Sequence, residues 1–191
     1  MTPREDANRW NVRYTLQARQ TFDQARSFLL SNQDFIQPGS LALDLAMGLG
    51  GNADFLIQCG LRVVGVDISE VAVELVKKKY PAVMALVADL TEIEFLPDSF
   101  DLITNFFYLE RSLWNKIPLW LKSGGILIFE ALILEMQSIH PDIQPQFLLS
   151  PGELKTAFPG LETLVYEEGW YGDDHPRATA RLVARKDSVS T

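Results

Sequence analysis

Three aspartates and a cluster of glycines are the residues of this chain best suited to holding a nucleoside-bearing ligand. Asp44 lies inside the apolar run 41–45, directly ahead of Gly48, Gly50 and Gly51 in LALDLAMGLGGNA. Asp67 follows the apolar run 62–66 in VVGVDIS, and Asp89 follows the run 82–87. Glycines at a strand-to-helix turn admit a ligand close to the backbone, and Gly48, Gly50 and Ala53 satisfy the dinucleotide fingerprint, in which a helix N-terminus faces phosphate. Asp44 departs from that fingerprint. A carboxylate ahead of the glycines would repel a pyrophosphate, so it suits a ligand that carries positive charge.

S-adenosylmethionine is such a ligand, with a sulfonium, an ammonium and no phosphate. Asp44 is expected to accept from the ammonium directly or through a water, a charge-assisted bond. Asp67, short and rigid, would accept both ribose hydroxyls, and Asp89 would receive the adenine amino group. An aspartate at a strand end also serves as a plain cap or turn residue, which remains open for Asp89. Asp44, set among Leu41, Leu43 and Leu45, requires a partner because an unpaired buried carboxylate is costly. Two competing classes share such a loop. A nicotinamide-dependent oxidoreductase should lack an acid like Asp44, and a noncatalytic nucleoside-binding module would keep the site without the chemistry.

The elements that must position these residues follow from apolar periodicity. Strands are expected at 41–45, 62–66, 82–87, 100–106 and 126–132, the last launched by Gly124 and Gly125. Helices are expected at 52–59, at 70–80 behind the N-cap Ser69, and at 112–121, where Pro118 is a possible interruption. An earlier helix at 21–30 would present Phe22, Ala25, Phe28 and Leu29 on one face. Near-continuous apolar strands alternating with helices mean an α/β fold, a doubly wound, mostly parallel sheet covered on both faces. Toward the C-terminus a short helix at 150–159, with Pro151 in its first turn, precedes strands at 161–166 and 178–185. These form an antiparallel hairpin at a sheet edge, joined by EEGWYGDDHPR.

With 191 residues and 47% hydrophobic content, one domain can bury a sizeable core. It divides into an arm and helix at 1–35, a cofactor core at 40–132 and a substrate-side segment with the hairpin at 133–191. The net charge of -8 opposes attraction to nucleic acid or anionic membrane and leaves a small-molecule acceptor as the expected partner. Oligomeric state is not legible. Cys59 is the single cysteine, which excludes an internal disulfide, and on an apolar helix face it reads as core. The N-terminus lacks a signal-peptide core, so a cytoplasmic location is expected. The most apolar run, 125–136, contains Glu130 and Glu135 and is too short to span a bilayer. His140 and His175 stand in no metal-ligand spacing, so no metal site is expected.

The motifs LALDLAMGLGGNA, VVGVDIS, VADL, FDLITNFF and LKSGGILIFE, in this order, resemble class I S-adenosylmethionine-dependent methyltransferases over nearly the whole chain. GLGGNA with the tail FLLSPGELKTAFPGLETLVYEEGW and ARLVARK is similar to the tellurite-resistance methyltransferase branch. The resemblance implies a Rossmann-like, seven-stranded sheet with a reversed C-terminal strand. It places the backbone of Ala46, Gly48 and Gly50 along the methionine portion of the cofactor, Ile68 on the adenine with Leu90 beside it, and Asn105 and Phe106 at the methionyl and sulfonium end. Arg13 and Tyr14 match a basic-aromatic pair of the branch, so the N-terminal arm with Trp10 would fold over the cofactor as a lid. Met47, Leu49 and Gly51 depart from the usual loop residues.

For the acceptor the branch implies a chalcogen oxyanion. His175 and Arg177 fall where the branch has an adjacent His-Arg pair at its substrate, with Pro176 intervening here; the alternative is a solvated turn with Asp173 and Asp174. Phe106, Phe107, Tyr108 and Trp114 would shield the sulfonium, although core packing serves Phe107 and Trp114 equally well. Methyl transfer needs alignment and a dry pocket more than a dedicated base. NFFY at 105–108 resembles the tetrapeptide of amino-group methyltransferases without its two prolines, which keeps a small amine or nucleobase as an alternative acceptor.

Overall fold

The computed structural model describes residues 2–16, 24–172 and 175–187. Seven strands form one sheet: β1 (Leu41–Leu45), β2 (Arg62–Asp67), β3 (Met84–Val87), β4 (Phe100–Phe106), β5 (Leu121–Leu132), β6 (Leu161–Tyr171) and β7 (Arg177–Lys186). Their spatial order is β3-β2-β1-β4-β5-β7-β6. The first five run parallel, whereas β7 lies antiparallel between β5 and β6. The expected Rossmann-like sheet with a reversed C-terminal strand is therefore the observed one. Because β1 continues to β2 on one side and neighbours β4 on the other, the strand order reverses beside β1, and a crevice opens there at the carboxyl ends.

Apolar residues alternate across β1, so Leu43 and Leu45 join one core layer with Ile103, Leu127 and Trp120 while Ala42 joins the opposite layer with Leu56, Val63 and Val76. Burial on both faces explains why these strands read as unbroken apolar runs. The helices α3 (Gly51–Gln58) and α4 (Glu70–Lys79) cover the second layer. Ser69 caps α4, its hydroxyl accepting from Ala72 N at 3.2 Å.

Several boundaries differ from expectation. Residues 3–16 form α1 (Pro3–Leu16), so the expected arm is a helix, with Glu5 and Asp6 in its first turn and Arg13 in its last complementing the dipole. Only Tyr14 of α1 is buried, which is why hydrophobic periodicity gave no signal. Of the helix expected at 21–30, α2 occupies Ser27–Ser31, while Thr21, Phe22 and Asp23 lie outside the described residues. β3 starts at Met84, after a turn at Pro81 and Ala82. Pro118 enforces a break at 112–121, where a 3-10 turn (Arg111–Asn115) gives way to α5 (Ile117–Trp120). β5 begins at Leu121, so Gly124 and Gly125 fall inside it opposite a register shift in β4. A Cβ at Gly125 would meet the Lys122 carbonyl at 2.8 Å, so the irregularity requires glycine. The last helix shrinks to α6 (Glu153–Thr156) behind the left-handed Gly152. β6 and β7 extend beyond their expected ends and absorb much of the connecting segment, of which Asp173 and Asp174 lie outside the described residues.

Candidate active site

A cavity of about 680 Å³ lies at the carboxyl ends of β1, β2, β4 and β5, roofed by α1. Its size falls within the range of small-ligand pockets, about 300–1,000 Å³.

The loop after β1 forms its floor. Ala46, Gly48 and Gly50 all take left-handed backbone angles, with φ of 52°, 56° and 79°. Met47 N donates to Val66 O at 3.0 Å and Gly48 N to Asp67 Oδ2 at 2.8 Å, so β2 holds the loop at two points. Ala46 and Gly48 line the cavity; Gly50 does not, because it turns toward α4, where a Cβ would come within 2.9 Å of Val76 Cγ2. The departure at Met47 has a packing cause. Its side chain lies across Gly65 of β2, where any side chain would collide with Met47 Sδ.

Asp67 and Ile68 both line the cavity. The Asp67 carboxylate also accepts from Ser69 N at 2.9 Å, so it clamps the glycine loop to the start of α4 as well as facing the ligand space. Burial raises its pKa against the lowering effect of the backbone donors. Asp89 and Leu90 line the same wall. Asp89 Oδ1 accepts from Thr91 N and Thr91 Oγ1, both at 2.8 Å, which is turn geometry, so the turn role and the position at the cavity coexist.

Asp44 takes a different position from the one its spacing suggested. It does not line the cavity but sits beneath the floor, 1% exposed, with Oδ1 accepting from Thr104 Oγ1 at 2.7 Å. Oδ2 is buried with no hydrogen-bond partner. Desolvation pushes the carboxyl up to about 7, opposed by the Thr104 bond and by Arg26. Asn105 also lies outside the cavity lining. Its Nδ2 donates to Tyr108 O at 2.7 Å and so latches the loop after β4. That loop holds Phe107 at φ 59°, an uncommon angle for a bulky residue, secured by Phe107 N donating to Glu130 O at 2.8 Å. Phe106, Phe107 and Tyr108 thereby line the cavity together. Burial raises the Tyr108 hydroxyl, with Glu110 adding to the shift.

The roof is α1, with Asp6, Arg9, Trp10, Arg13 and Tyr14 on the cavity. Trp10 and Tyr14 stack at 5.5 Å, Arg13 lies 5.1 Å over the Trp10 ring, and Arg9 pairs with Asp6 at 2.6 Å. Tyr14 closes on the floor, where a Cβ on Gly48 would come within 2.9 Å of its hydroxyl. Asn11 Oδ1, accepting from Ser69 Oγ at 2.6 Å, ties the helix to the cap of α4.

On the acceptor side, Arg177 and His175 part company. The Arg177 guanidinium stands 5.4 Å over the Phe107 ring, behind the cavity wall, and His175 is exposed; neither lines the cavity. Trp114 packs at 6.0 Å from the Phe158 ring, away from the lining. Residues without a sequence signal join instead. Arg26 lines the cavity, stands 4.8 Å over Phe107, and donates from its backbone N to Asn52 Oδ1 at 2.9 Å. Desolvation lowers its pKa, and the neighbouring Arg177 lowers it further. Ile143, Gln146 and Phe147 complete the mouth. Arg111 secures them by donating to Gln146 O and Leu148 O, both at 3.0 Å, while pairing with Glu153 at 2.6 Å. Beneath Phe107, buried Glu130 accepts from Thr179 Oγ1 at 3.0 Å and Arg181 Nε at 2.9 Å.

These residues fit S-adenosylmethionine. Asp67 offers a carboxylate to a ribose, Ile68 and Leu90 offer apolar surface to a base, and the aromatic residues after β4 suit a sulfonium. Among the described residues no group of three His, Cys, Asp or Glu side chains could hold a metal, and no helix is long and apolar enough to cross a membrane.

Comparison with known proteins agrees with this geometry. A family model described as a methyltransferase domain matches residues 42–125. A probable S-adenosylmethionine-dependent methyltransferase of Mycobacterium tuberculosis is 34% identical over 74 residues, 39% of this chain and 27% of that relative, so the match spans about a quarter of the relative's length. Among solved structures, one from a study of the conversion of a disulfide bond into a thioacetal group during echinomycin biosynthesis superposes with a TM-score of 0.76 at 16% identity, over 97% of this chain and 94% of its own. TehB from Haemophilus influenzae gives 0.72 at 18% identity, over 95% of this chain and 67% of its own. At these identities the likeness is one of fold. Residues 42–125 are thus similar to a methyltransferase domain, and the fold of the chain is shared with these solved structures.

Proposed function

We propose that this chain transfers a methyl group from S-adenosylmethionine to a small-molecule acceptor. One observation carries the reading: Ala46, Gly48, Asp67, Ile68, Asp89 and Leu90, from three successive strand ends, meet on one wall of a cavity whose next wall is the aromatic run Phe106, Phe107 and Tyr108. When bound, S-adenosylmethionine supplies a methyl carbon activated by the positively charged sulfur. The protein's part is to orient the two reactants and exclude water. Asp67 would hold the ribose, and α1 would cover the bound cofactor through Trp10, Arg13 and Tyr14.

Among the described residues the cavity lining holds no histidine, and its tyrosines, Tyr14 and Tyr108, have raised pKa values, so they keep their protons at neutral pH. An acceptor that arrives already nucleophilic suits such a site. The branch-level reading, a chalcogen oxyanion, draws support from the C-terminal tail motifs and from the cationic Arg26 on the cavity. An amine or nucleobase acceptor gripped through NFFY draws less, since the Asn105 amide is engaged by Tyr108 O. The net charge of -8 favours a small molecule over nucleic acid as partner.

Calorimetry with S-adenosylmethionine, S-adenosylhomocysteine and NADH tests the cofactor. Binding of the first two and no heat from NADH is expected; tighter binding of NADH sinks the reading. A methyl-transfer screen over chalcogen oxyanions, thiols, amines and carboxylates then tests turnover, and transfer to none of them would leave a nucleoside-binding module.

A further inference from the structure

The acceptor side of the cavity combines an apolar enclosure with the cation Arg26. Phe107, Tyr108, Leu109, Leu132, Ile143 and Phe147 form the enclosure, and Phe147 at the mouth keeps 40% of its surface exposed. Such a surface gains by being covered. Arg26 points its guanidinium at the face of Phe107, and among the described residues no carboxylate stands within ion-pair distance of it. Arg177 on the same ring adds like charge. Two guanidinium groups on one ring, with Arg26 half-buried, favour an incoming anion.

The acids on the cavity are otherwise engaged. Asp6 pairs with Arg9, Asp67 accepts from Gly48 N and Ser69 N, Asp89 accepts from Thr91, and Glu110 accepts from Ser112 N at 2.9 Å. A bare, strongly hydrated oxyanion would use Arg26 and leave the apolar enclosure without purpose.

We propose that this compartment takes an organic carboxylate with an apolar body, held at its charged end by Arg26, and methylates it on a carboxylate oxygen. The inference rests on the methyl-donor reading above. In the step, the carboxylate oxygen gives an electron pair to the methyl carbon as the carbon–sulfur bond breaks and leaves its pair on sulfur. The products are a methyl ester and S-adenosylhomocysteine. One negative and one positive charge cancel and no proton moves, so the step calls on no base. A dry, apolar compartment favours a step that cancels charge.

The test uses the full chain saturated with S-adenosylhomocysteine, titrated calorimetrically with phenylacetate, octanoate, acetate and tellurite, beside a mass-spectrometric assay for methyl esters with S-adenosylmethionine. Phenylacetate or octanoate should bind more tightly than acetate and yield its methyl ester. Arg26→Gln should weaken that binding by about ten- to a hundredfold, the range for a bond to a charged group, with S-adenosylhomocysteine affinity unchanged. Phe147→Ala should weaken phenylacetate and leave acetate as it was. Methylation of tellurite with neither larger carboxylate bound or esterified overturns the proposal, as does an Arg26→Gln variant that loses S-adenosylhomocysteine affinity to the same degree. Failure of the wild-type chain to bind S-adenosylhomocysteine at all is a separate result, which removes the methyl-donor reading beneath it.

Discussion

The cofactor wall and the acceptor wall of one cavity are built by different means. The cofactor wall draws on residues 46–91, in chain order, and its working groups are backbone amides and short acids at consecutive strand ends. Its stability is local: Gly48 N and Ser69 N both reach Asp67 over at most 19 residues. The acceptor wall gathers Arg26, Phe107, Leu132 and Phe147 from segments far apart in the chain. Beneath it lies a cross-strand charge network, Glu130 on β5 opposite Arg181 on β7 opposite Glu167 on β6. The cofactor side can therefore be carried by a short motif, while the acceptor side depends on the assembled sheet.

Glu130→Ala is the strongest challenge to that division. It strips the principal partner from Arg181, whose side chain is 12% exposed, and should cost about 3–5 kcal/mol in urea unfolding, while S-adenosylmethionine affinity of the folded protein holds. A parallel loss of cofactor affinity would mean that the two walls are not independent.

Asp67→Ala should weaken S-adenosylmethionine binding by about 1.5–3 kcal/mol in calorimetry, the range for bonds to a charged group. Because Asp67 also accepts from Gly48 N and Ser69 N, Asp67→Asn is the sharper comparison. It keeps an acceptor for one of these amides and should restore part of the stability but not the affinity. Equal affinity of all three proteins would reject the ribose role.

Gly48→Ala should lower stability by about 1–2 kcal/mol, since its φ of 56° is left-handed and the new Cβ would come within 2.9 Å of the Tyr14 hydroxyl. Thermal unfolding measures the loss. Adding Tyr14→Phe should recover some of it if contact with α1 is the cause, and no recovery would assign the whole cost to the backbone.

The smallest effect at acid pH is expected of Asp44→Asn. The folded chain holds Asp44 at about 7 against an ordinary value of 3.8, so folding favours the protonated form. Its contribution is complete below about pH 4 and is lost as pH rises through about 7. Paired unfolding curves should show the variant near wild type at the acid end and more stable than wild type above neutrality. A stability difference that does not change with pH would show that Asp44 titrates alike in the folded and unfolded chain.

Asp67, Ile68, Asp89 and Leu90 were legible because a strand end fixes where the next residue goes, and each sits at the carboxyl end of its own apolar run or just beyond it. Asp44 was legible as unusual and as buried among Leu41, Leu43 and Leu45, but its partner was not. It faces Thr104 across the β1–β4 register, and a cross-strand neighbour cannot be counted out along one strand. Trp10, Arg13 and Tyr14 were noticed without their helix, because α1 buries a single side chain and its contacts are to Ser69 and the glycine loop. Arg26 gave no signal. One arginine ahead of Ser27 looks like any other until Phe107 is beneath it.

The sequence by itself determined the parallel α/β core, the glycine loop and the order of the acids, because strand alternation, turn chemistry and helix capping act over a few residues and leave local patterns. Tertiary structure alone decided that Asp44 lies below the floor, that Asn105 latches a loop, that Arg177 stands behind Phe107 while His175 faces solvent, and that Arg26 enters the cavity. Those placements depend on sheet register and on which distant segments meet, and the free energy that selects them, burial of apolar surface with pairing of the charges it encloses, belongs to the whole fold rather than to any stretch of chain.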